Sequence, residues 1–228
     1  MTRLRLVTVL VLGVALLLPG AAFAKKKNKA KMSDNFQAGL DLGAYIYGAI
    51  PYASVTFNDQ DASFSGTGGF GPIIGAHFNM FAAEDWILHF DIAYSYQSGK
   101  ASIDFDDEKL NDQDFDYGLE MFRASVGAGK RILATRFVNP YWMLGLGLHH
   151  MAFQEKDEDE AATGTGVGPF GALGVDAIVT KTKGMHIFVG GQGRLDIIYT
   201  VTPLERDKAE ITMAYVPLAF ILTGGVQF

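Results

Sequence analysis

Several sets of polar side chains in this 228-residue sequence could support chemistry, and the first contains two histidines and a carboxylate. Imidazole and carboxylate groups are ligands with which proteins bind transition metals, and His77, His89 and Asp91 would supply them. Their spacing matches no metal-binding motif, so a hydrogen-bonded polar cluster is the alternative explanation. The sequence therefore assigns no metal ligand, no cofactor-binding residue and no catalytic residue.

The second set is acidic and lies in two runs. Residues 104–116 have the sequence DFDDEKLNDQDFD, and residues 155–160 have the sequence EKDEDE. Carboxylate oxygens bind hard divalent cations, so the runs predict weak, collective binding of Ca²⁺ or Mg²⁺ at roughly 10⁻⁴–10⁻³ M. Neither run has the glycine at position six and the glutamate at position twelve that an EF-hand loop requires. The alternative is a pair of solvated loops whose charges repel each other.

The elements that must position these residues are eight segments in which apolar and polar side chains alternate. Such alternation predicts β-strands. The segments cover about 35–48, 67–81, 86–98, 115–131, 141–153, 167–180, 185–200 and 213–228. In the fourth segment Leu119 and Met121 are out of phase with Phe122, Ala124 and Val126, which predicts a β-bulge near Met121-Phe122.

The polar faces of these strands indicate which side of the sheet is buried. They hold Gly, Ser, Asp, His and Gln rather than the many Lys and Glu of a water-exposed surface. Such small, sparsely charged groups fit the narrow lumen of an eight-stranded barrel. The apolar faces then contact lipid, and aromatic residues near the strand ends form interfacial girdles: Tyr45, Tyr94, Tyr96, Trp86, Trp142 and Tyr199. A soluble lipocalin-type barrel, with the faces reversed, is the alternative.

The connections and the N-terminus predict the topology and its export. Short links at 82–85, 133–140 and 180–184 alternate with longer ones, as in a meander with long extracellular loops. Residues 1–24 have the pattern of a secretory signal peptide, with Arg3 and Arg5, an apolar run and Ala22-Phe23-Ala24. The run is too short to span a bilayer comfortably, so a retained anchor is the weaker alternative. We predict a signal peptide at 1–24, a basic periplasmic segment at 25–34 and a barrel at 35–228.

The last strand carries a family resemblance. Phe220, Leu222, Val226 and Phe228 alternate with mostly small or polar residues up to the end of the sequence. With Pro140-Tyr141 and the following glycines, this pattern resembles small eight-stranded bacterial outer-membrane β-barrel proteins. The resemblance implies an all-β, antiparallel, up-and-down transmembrane barrel in contact with lipid and lipopolysaccharide. It also implies insertion by the outer-membrane assembly machinery through the strand that ends in Phe228. No nucleic-acid partner is expected.

The resemblance leaves the activity open, because one fold hosts several functions. The main expectation is a non-enzymatic protein with a plugged or very narrow lumen and acidic extracellular loops, which contributes to envelope integrity or surface interaction. The alternative is a narrow pore for small hydrophobic or ionic solutes. Five charged residues could gate such a pore or form an internal ion-pair network instead: Asp41, Glu120, Arg123, Arg194 and Asp196. A lipid-modifying enzyme that uses His150, near the outer rim with His149, is less favoured, because Ala152 stands where outer-membrane lipid deacylases have a serine.

Overall fold

The protein folds almost entirely into β-strands in a computed structural model. The structure describes residues 36–57, 60–82, 85–105, 113–132, 137–156, 160–182, 185–206 and 209–228. The predicted signal peptide and basic segment lie outside the described residues. Among the residues described, no helix is long and apolar enough to cross a membrane.

Ten strands follow one another along the chain. They are β1 Phe36–Phe57, β2 Gln60–Gly68, β3 Gly71–Phe81, β4 Trp86–Phe105, β5 Gln113–Arg131, β6 Val138–Glu155, β7 Ala162–Thr182, β8 Met185–Asp196, β9 Ile198–Arg206 and β10 Ala209–Gln227. All the pairings between them are antiparallel.

The ten segments form a barrel of eight strands, because two of the eight are interrupted. β2 and β3 are separated by Gly69 and Phe70, and both pair with β1 on one side and β4 on the other, so they form one interrupted strand. β8 and β9 are separated by Ile197 and lie between β7 and β10 in the same way. β10 pairs with β1 along its length, which closes the sheet. The predicted eight-stranded up-and-down barrel is confirmed.

The first and last described residues meet at one end of the barrel, which we name the terminal end. Phe36 and Phe228 exchange both backbone hydrogen bonds there, at N···O distances of 2.9 and 2.8 Å. The opposite end is named the distal end. Because β1 and β10 pair with each other at the seam, neither has an unpaired edge, unlike the edge strands of an open sheet.

The outward face is apolar along the half of the barrel next to the terminal end. Leu40 is 69% exposed and Phe90 is 46% exposed, so the face predicted to contact lipid does point outward. On β4 this apolar face extends over residues 86–96, the length of a tilted strand that crosses the hydrocarbon core. A lipocalin-type barrel would bury these side chains, so the soluble alternative is wrong.

The strands extend further toward the distal end than the sequence predicted. β1 ends at Phe57 instead of about 48, β4 ends at Phe105 instead of about 98, and β10 begins at Ala209 instead of about 213. Most of the residues predicted as long distal loops are therefore strand, and that prediction is wrong. Beyond the apolar band the outward side chains of β4 become polar, as at Ser98 and Lys100, and inward positions of β4 and β5 become apolar, as at Ala101 and Tyr117. The alternation therefore continues with its phase inverted.

The prediction of a bulge at Met121-Phe122 is also wrong, because the alternation inverts its phase at this point of the strand. The pairing of β5 with β4 is unbroken from Gln113 to Lys130. Leu119 and Met121 point into the barrel and are fully buried, whereas Phe122 points outward and is 51% exposed. The two apolar phases of this strand follow the change in its surroundings and do not require an extra residue.

Candidate functional site in the lumen

The lumen has two regions of opposite chemistry, both filled by side chains. The polar segment lies toward the terminal end and comprises Gln37, Asp41, His77, Asn79, His89, Asp91, Arg123, Ser125, His149, Asp176, Arg194 and Asp196. The apolar segment lies toward the distal end and comprises Tyr45, Ile50, Ala53, Phe64, Tyr117, Leu119, Met121, Met151, Phe153, Ile198, Leu204, Met213 and Tyr215. A smaller apolar cluster adjoins the polar segment at the terminal end: Ile87, Tyr141, Met143, Phe170 and Ala172.

Arg194 is the centre of the polar segment. Its Nη1 donates to Asp91 Oδ2 at 2.7 Å and its Nη2 donates to Asp196 Oδ1 at 2.9 Å. The guanidinium carbon lies 3.7 Å from the centroid of the Phe170 ring, an arrangement that adds a cation–π contact. Arg194 is only 1% exposed. A charge buried this deeply is tolerated because each side of the guanidinium has a partner.

A second arginine completes a charge-balanced group. Arg123 Nε donates to Asp91 Oδ1 at 2.8 Å, and its Nη1 lies 3.9 Å from Asp196 Oδ2. Two guanidinium groups therefore face two carboxylates. Ser125 Oγ also donates to Asp91 Oδ2, so that carboxylate on β4 accepts bonds from side chains on two other strands, β5 and β8. Such cross-linking favours a fixed interior over a water-filled one.

Hydrogen bonds extend this group toward the terminal end. His89 lies 3.0 Å from Asp91 Oδ2 through Nε2 and 2.6 Å from Asn79 Oδ1 through Nδ1. Asn79 Nδ2 then donates to Gln37 Oε1 at 2.7 Å, and Gln37 Nε2 donates to Asp176 Oδ2 at 3.0 Å. Side chains two residues apart on a strand share a face, which places consecutive members of the chain on one side of the sheet.

His77, His89 and Asp91, the hypothetical metal ligands, lie close together, but His77 and His89 contact different carboxylates. In the strand register His77 is opposite Asp91, and Asn79 is opposite His89. His77 Nδ1 lies 2.9 Å from Asp41 Oδ1, and its ring centroid is 6.0 Å from that of His89. Across the described part of the chain, no group of three or more His, Cys, Asp or Glu side chains is arranged to hold a metal ion. The polar cluster is the arrangement observed.

Three other predicted positions need correction. Glu120 was expected in the lumen but is exposed on the outer wall, because it shares the outward parity of Phe122. Tyr45 was expected in an aromatic girdle but is 1% exposed inside the barrel, because it shares the parity of Asp41. His149 was expected near the outer rim, yet β6 continues past it to Glu155 and its ring is buried 4.0 Å from Asp196.

The apolar segment is packed like the core of a soluble protein, which the sequence did not predict. The rings of Tyr117 and Phe153 stack with centroids 5.0 Å apart, and Phe64 lies 5.8 Å from Phe153. Leu119, Met151 and Leu204 are completely buried beside them. These side chains occupy the lumen on the distal side of Arg194. The sequence did contain a sign of this core: in the strand extensions the apolar residues occupy the alternate positions that are polar in the lipid-facing half.

The remaining candidates lie on the outer wall and the distal rim. His150 is exposed, with Phe122 and Thr165 opposite it in the register, and Ala152 follows it on the same face. Within the first acidic run, Asp114 accepts a hydrogen bond from Ser102 Oγ at 2.6 Å. Most of the acidic residues in the two runs lie outside the described residues: Asp106, Asp107, Glu108, Asp112, Asp157, Glu158 and Asp159. Cation binding there stays a prediction.

Comparisons with known proteins agree with the barrel architecture. Residues 11–210 match the family model described as the outer membrane protein beta-barrel domain. No protein among the curated proteins matches the sequence.

Several solved structures are similar to the chain at low identity. Ail of Yersinia pestis, solved with the heparin analogue sucrose octasulfate, is 13% identical with a TM-score of 0.39, covering 85% of this chain and 99% of that one. OprG of Pseudomonas aeruginosa is 12% identical with a TM-score of 0.49, covering 85% and 98%. Neisserial surface protein A is 17% identical with a TM-score of 0.39, covering 85% and 97%. None of these similarities bears on activity.

Proposed function

Because the chain belongs to the outer-membrane β-barrel domain family, we propose that it is a closed, non-enzymatic barrel that contributes to envelope integrity or surface contact. Family membership implies the outer membrane as its location. The observation that carries the proposal is the occupied lumen. Paired charges fill the part of the lumen inside the lipid-facing band, and packed apolar side chains fill the part beyond it.

The filled lumen supports closure because two different barriers lie in series. Water would have to displace the bonds of Arg194 to Asp91 and Asp196 in the polar segment. It would then meet the apolar segment, where Leu119 and Met151 offer it no hydrogen bonds. Eight-stranded barrels are narrow enough for side chains to fill in this way.

Planar-bilayer conductance tests closure. Wild-type protein should produce no discrete channel events under conditions in which a large porin conducts. Arg194→Ala alone should stay closed because the apolar segment remains, and Leu119→Ser with Met151→Ser should stay closed because the polar segment remains. Only the combined variant should conduct, with its fold verified by heat-sensitive gel migration. Discrete wild-type events that Arg194→Ala abolishes would instead support a narrow pore.

The proposed role in the envelope needs a cellular measurement. Cells lacking the protein should become more sensitive to detergents and large antibiotics or lose contact with surfaces. Wild-type protein and the His150→Ala variant should both restore the phenotype. If His150→Ala failed to restore it and lipopolysaccharide acylation changed, a lipid-modifying activity would replace the present proposal.

The proposal includes an orientation and an assembly route. The signal peptide 1–24 is removed, the basic segment 25–34 and the terminal end face the periplasm, and the assembly machinery recognises the strand that ends in Phe228. This route is supported by the position of Phe228, which closes the seam against Phe36 and is 43% exposed. Deletion of Phe228 should reduce outer-membrane levels strongly, whereas Phe228→Tyr should retain them. Normal levels of the deletion variant would contradict this role.

A further inference from the structure

One carboxylate of the polar segment differs from the others in its partners. Asp176 is 9% exposed, whereas Asp91 and Asp196 are buried more deeply and contact arginines. The Oδ2 atom of Asp176 accepts a hydrogen bond from the neutral amide of Gln37 at 3.0 Å. Its Oδ1 atom has no hydrogen-bond partner among the described residues. A buried carboxylate is stabilised most by a cation, so Asp176 is suited to bind one.

The strand register places Asp176 near the terminal end, beside a second acceptor. Gln37, which contacts it, directly follows Phe36 at the seam. Asp176 lies opposite Asn139 on one side and Gly190 on the other. Asn139 is buried, and its Oδ1 also has no hydrogen-bond partner within the described part of the chain. A Cβ at Gly190 would collide with Asp176 Oδ1, so the glycine leaves room beside this oxygen.

The charge of the polar segment also favours a cation. Its four aspartates face two arginines, which leaves a formal charge of −2 when the histidines are neutral. Arg131 lies at the same end of the barrel, but it pairs with Asp85 at 3.4 Å and stacks on the Phe81 ring. Its charge is therefore balanced locally. A further positive group at the terminal end would reduce the excess negative charge of the lumen.

The chain itself carries positive groups next to this end. The basic segment 25–34 contains five lysines: Lys25, Lys26, Lys27, Lys29 and Lys31. Lys31 precedes Phe36 by five residues, and an extended chain of this length spans roughly 17 Å. Asp176 is separated from the backbone next to Phe36 only by the Gln37 side chain and one hydrogen bond. The intervening Ser33-Asp34-Asn35 consists of residue types that favour turns, as a reversal of the chain requires.

A tethered group has a high local concentration near its anchor, which favours pairing with a carboxylate close to Phe36. We propose that the basic segment folds back against the terminal end and that Lys31 or Lys29 pairs with Asp176. The lysine ammonium has three donors, so it can also serve Asn139 Oδ1. The pairing gives a role to lysines that directly follow a signal peptide. It is independent of lumen closure and of the side of the membrane that the terminal end faces.

Limited proteolysis measures this docking, because trypsin cleaves after lysine and a bound lysine is protected. Purified protein that lacks residues 1–24 is digested in a neutral detergent, and cleavage after Lys29 and Lys31 is followed by intact mass. We expect cleavage at least tenfold slower than in a synthetic peptide of residues 25–36. Asp176→Asn keeps the size of the side chain and should accelerate cleavage about tenfold, the scale of one hydrogen bond to a charged group.

Two further variants separate a specific pair from general attraction. Asp85→Asn removes a carboxylate from the same end of the barrel, where its partner is Arg131, and should change the cleavage rate less than twofold. Lys31→Arg keeps both the positive charge and the trypsin site, so its cleavage should stay slow. Heat-sensitive gel migration confirms that each variant is folded.

Several outcomes would overturn the inference. Cleavage of the wild-type protein as fast as that of the free peptide would exclude docking, whether or not Asp176→Asn folds. Equal rates in the wild type and Asp176→Asn would place the lysines elsewhere. An equal acceleration in Asp85→Asn would show attraction to any carboxylate at this end. Protection that requires vesicles containing phosphatidylglycerol, and is absent in neutral detergent, would identify the membrane surface as the partner of the segment.

Discussion

The polar and apolar segments fill one continuous lumen with opposite chemistry, and the surroundings of the wall explain the difference. Around the polar segment the outer wall carries apolar residues such as Leu40 and Phe90, which lipid covers. Its interior therefore does not need to be apolar, provided that its polar groups are paired. Beyond the lipid-facing band the wall is polar on its outer face. The strands there must bury apolar side chains inside, as a soluble protein does.

The two segments should also respond differently to substitution. Bonds in the polar segment are directional and charged, so the identity of each group matters more than its volume. Contacts in the apolar segment depend on area and shape, so volume matters more than identity. Substitutions at Arg194, Asp91 and Leu119 can test this comparison. Urea unfolding of protein in lipid vesicles, followed by the fluorescence of Trp86 and Trp142, provides the free energy of unfolding.

The largest loss is expected from Arg194→Leu. The substitution leaves Asp91 and Asp196 buried with one arginine between them, and removing one member of a buried ion pair costs about 3–5 kcal/mol. Leu195→Ala, on the lipid-facing side of the same strand, is the control and should change the free energy of unfolding much less. A loss below about 1 kcal/mol for Arg194→Leu would mean that the polar segment is hydrated and loosely held.

The next largest loss is expected from Leu119→Ala in the apolar segment. Leu119 is completely buried, so the substitution removes apolar contacts and leaves a cavity, at a cost of about 2–5 kcal/mol. Glu120→Ala changes the adjacent, exposed position and should be close to neutral. If Leu119→Ala cost no more than Glu120→Ala, the distal part of the lumen would not be a packed core.

These comparisons also show how much the sequence predicted. Alternation identified the strands and the inward face correctly wherever lipid covers the outside, as at His89, Asp91 and Arg194. It failed where the strands leave the lipid-facing band, because apolar residues then change sides. Leu119 and Met121 were consequently interpreted as a bulge.

The hydrogen bonds and ion pairs that cross the lumen could not be predicted from the sequence. Arg194 on β8 reaches Asp91 on β4, 103 residues away, only because the sheet closes. Local alternation assigns each residue to a face but does not give its height relative to residues on a distant wall. The network's members were therefore recognised as inward groups, while their partners could not be predicted.

A smaller loss, about 1.5–3 kcal/mol, is expected from Asp91→Asn, which keeps the volume of the side chain but removes its charge. Asp91 accepts hydrogen bonds from Arg123 and Arg194, and bonds to charged groups contribute about this much. Asp114→Asn, an exposed carboxylate that accepts a bond from Ser102, supplies the matched control and should have little effect. Equal effects of the two substitutions would show that burial does not strengthen the bonds of Asp91.

The smallest loss is expected from Leu119→Met, which is the volume-conserving change in the apolar segment. Methionine is flexible enough to occupy the space beside Met151, and swaps of this kind cost less than about 1.5 kcal/mol. The comparison with Asp91→Asn is informative because both substitutions conserve size, one in each segment. A loss for Leu119→Met that equals or exceeds the loss for Asp91→Asn would contradict the distinction between charge-specific and shape-specific packing. In that case the apolar segment would be as narrowly specified as the ion-pair group around Arg194.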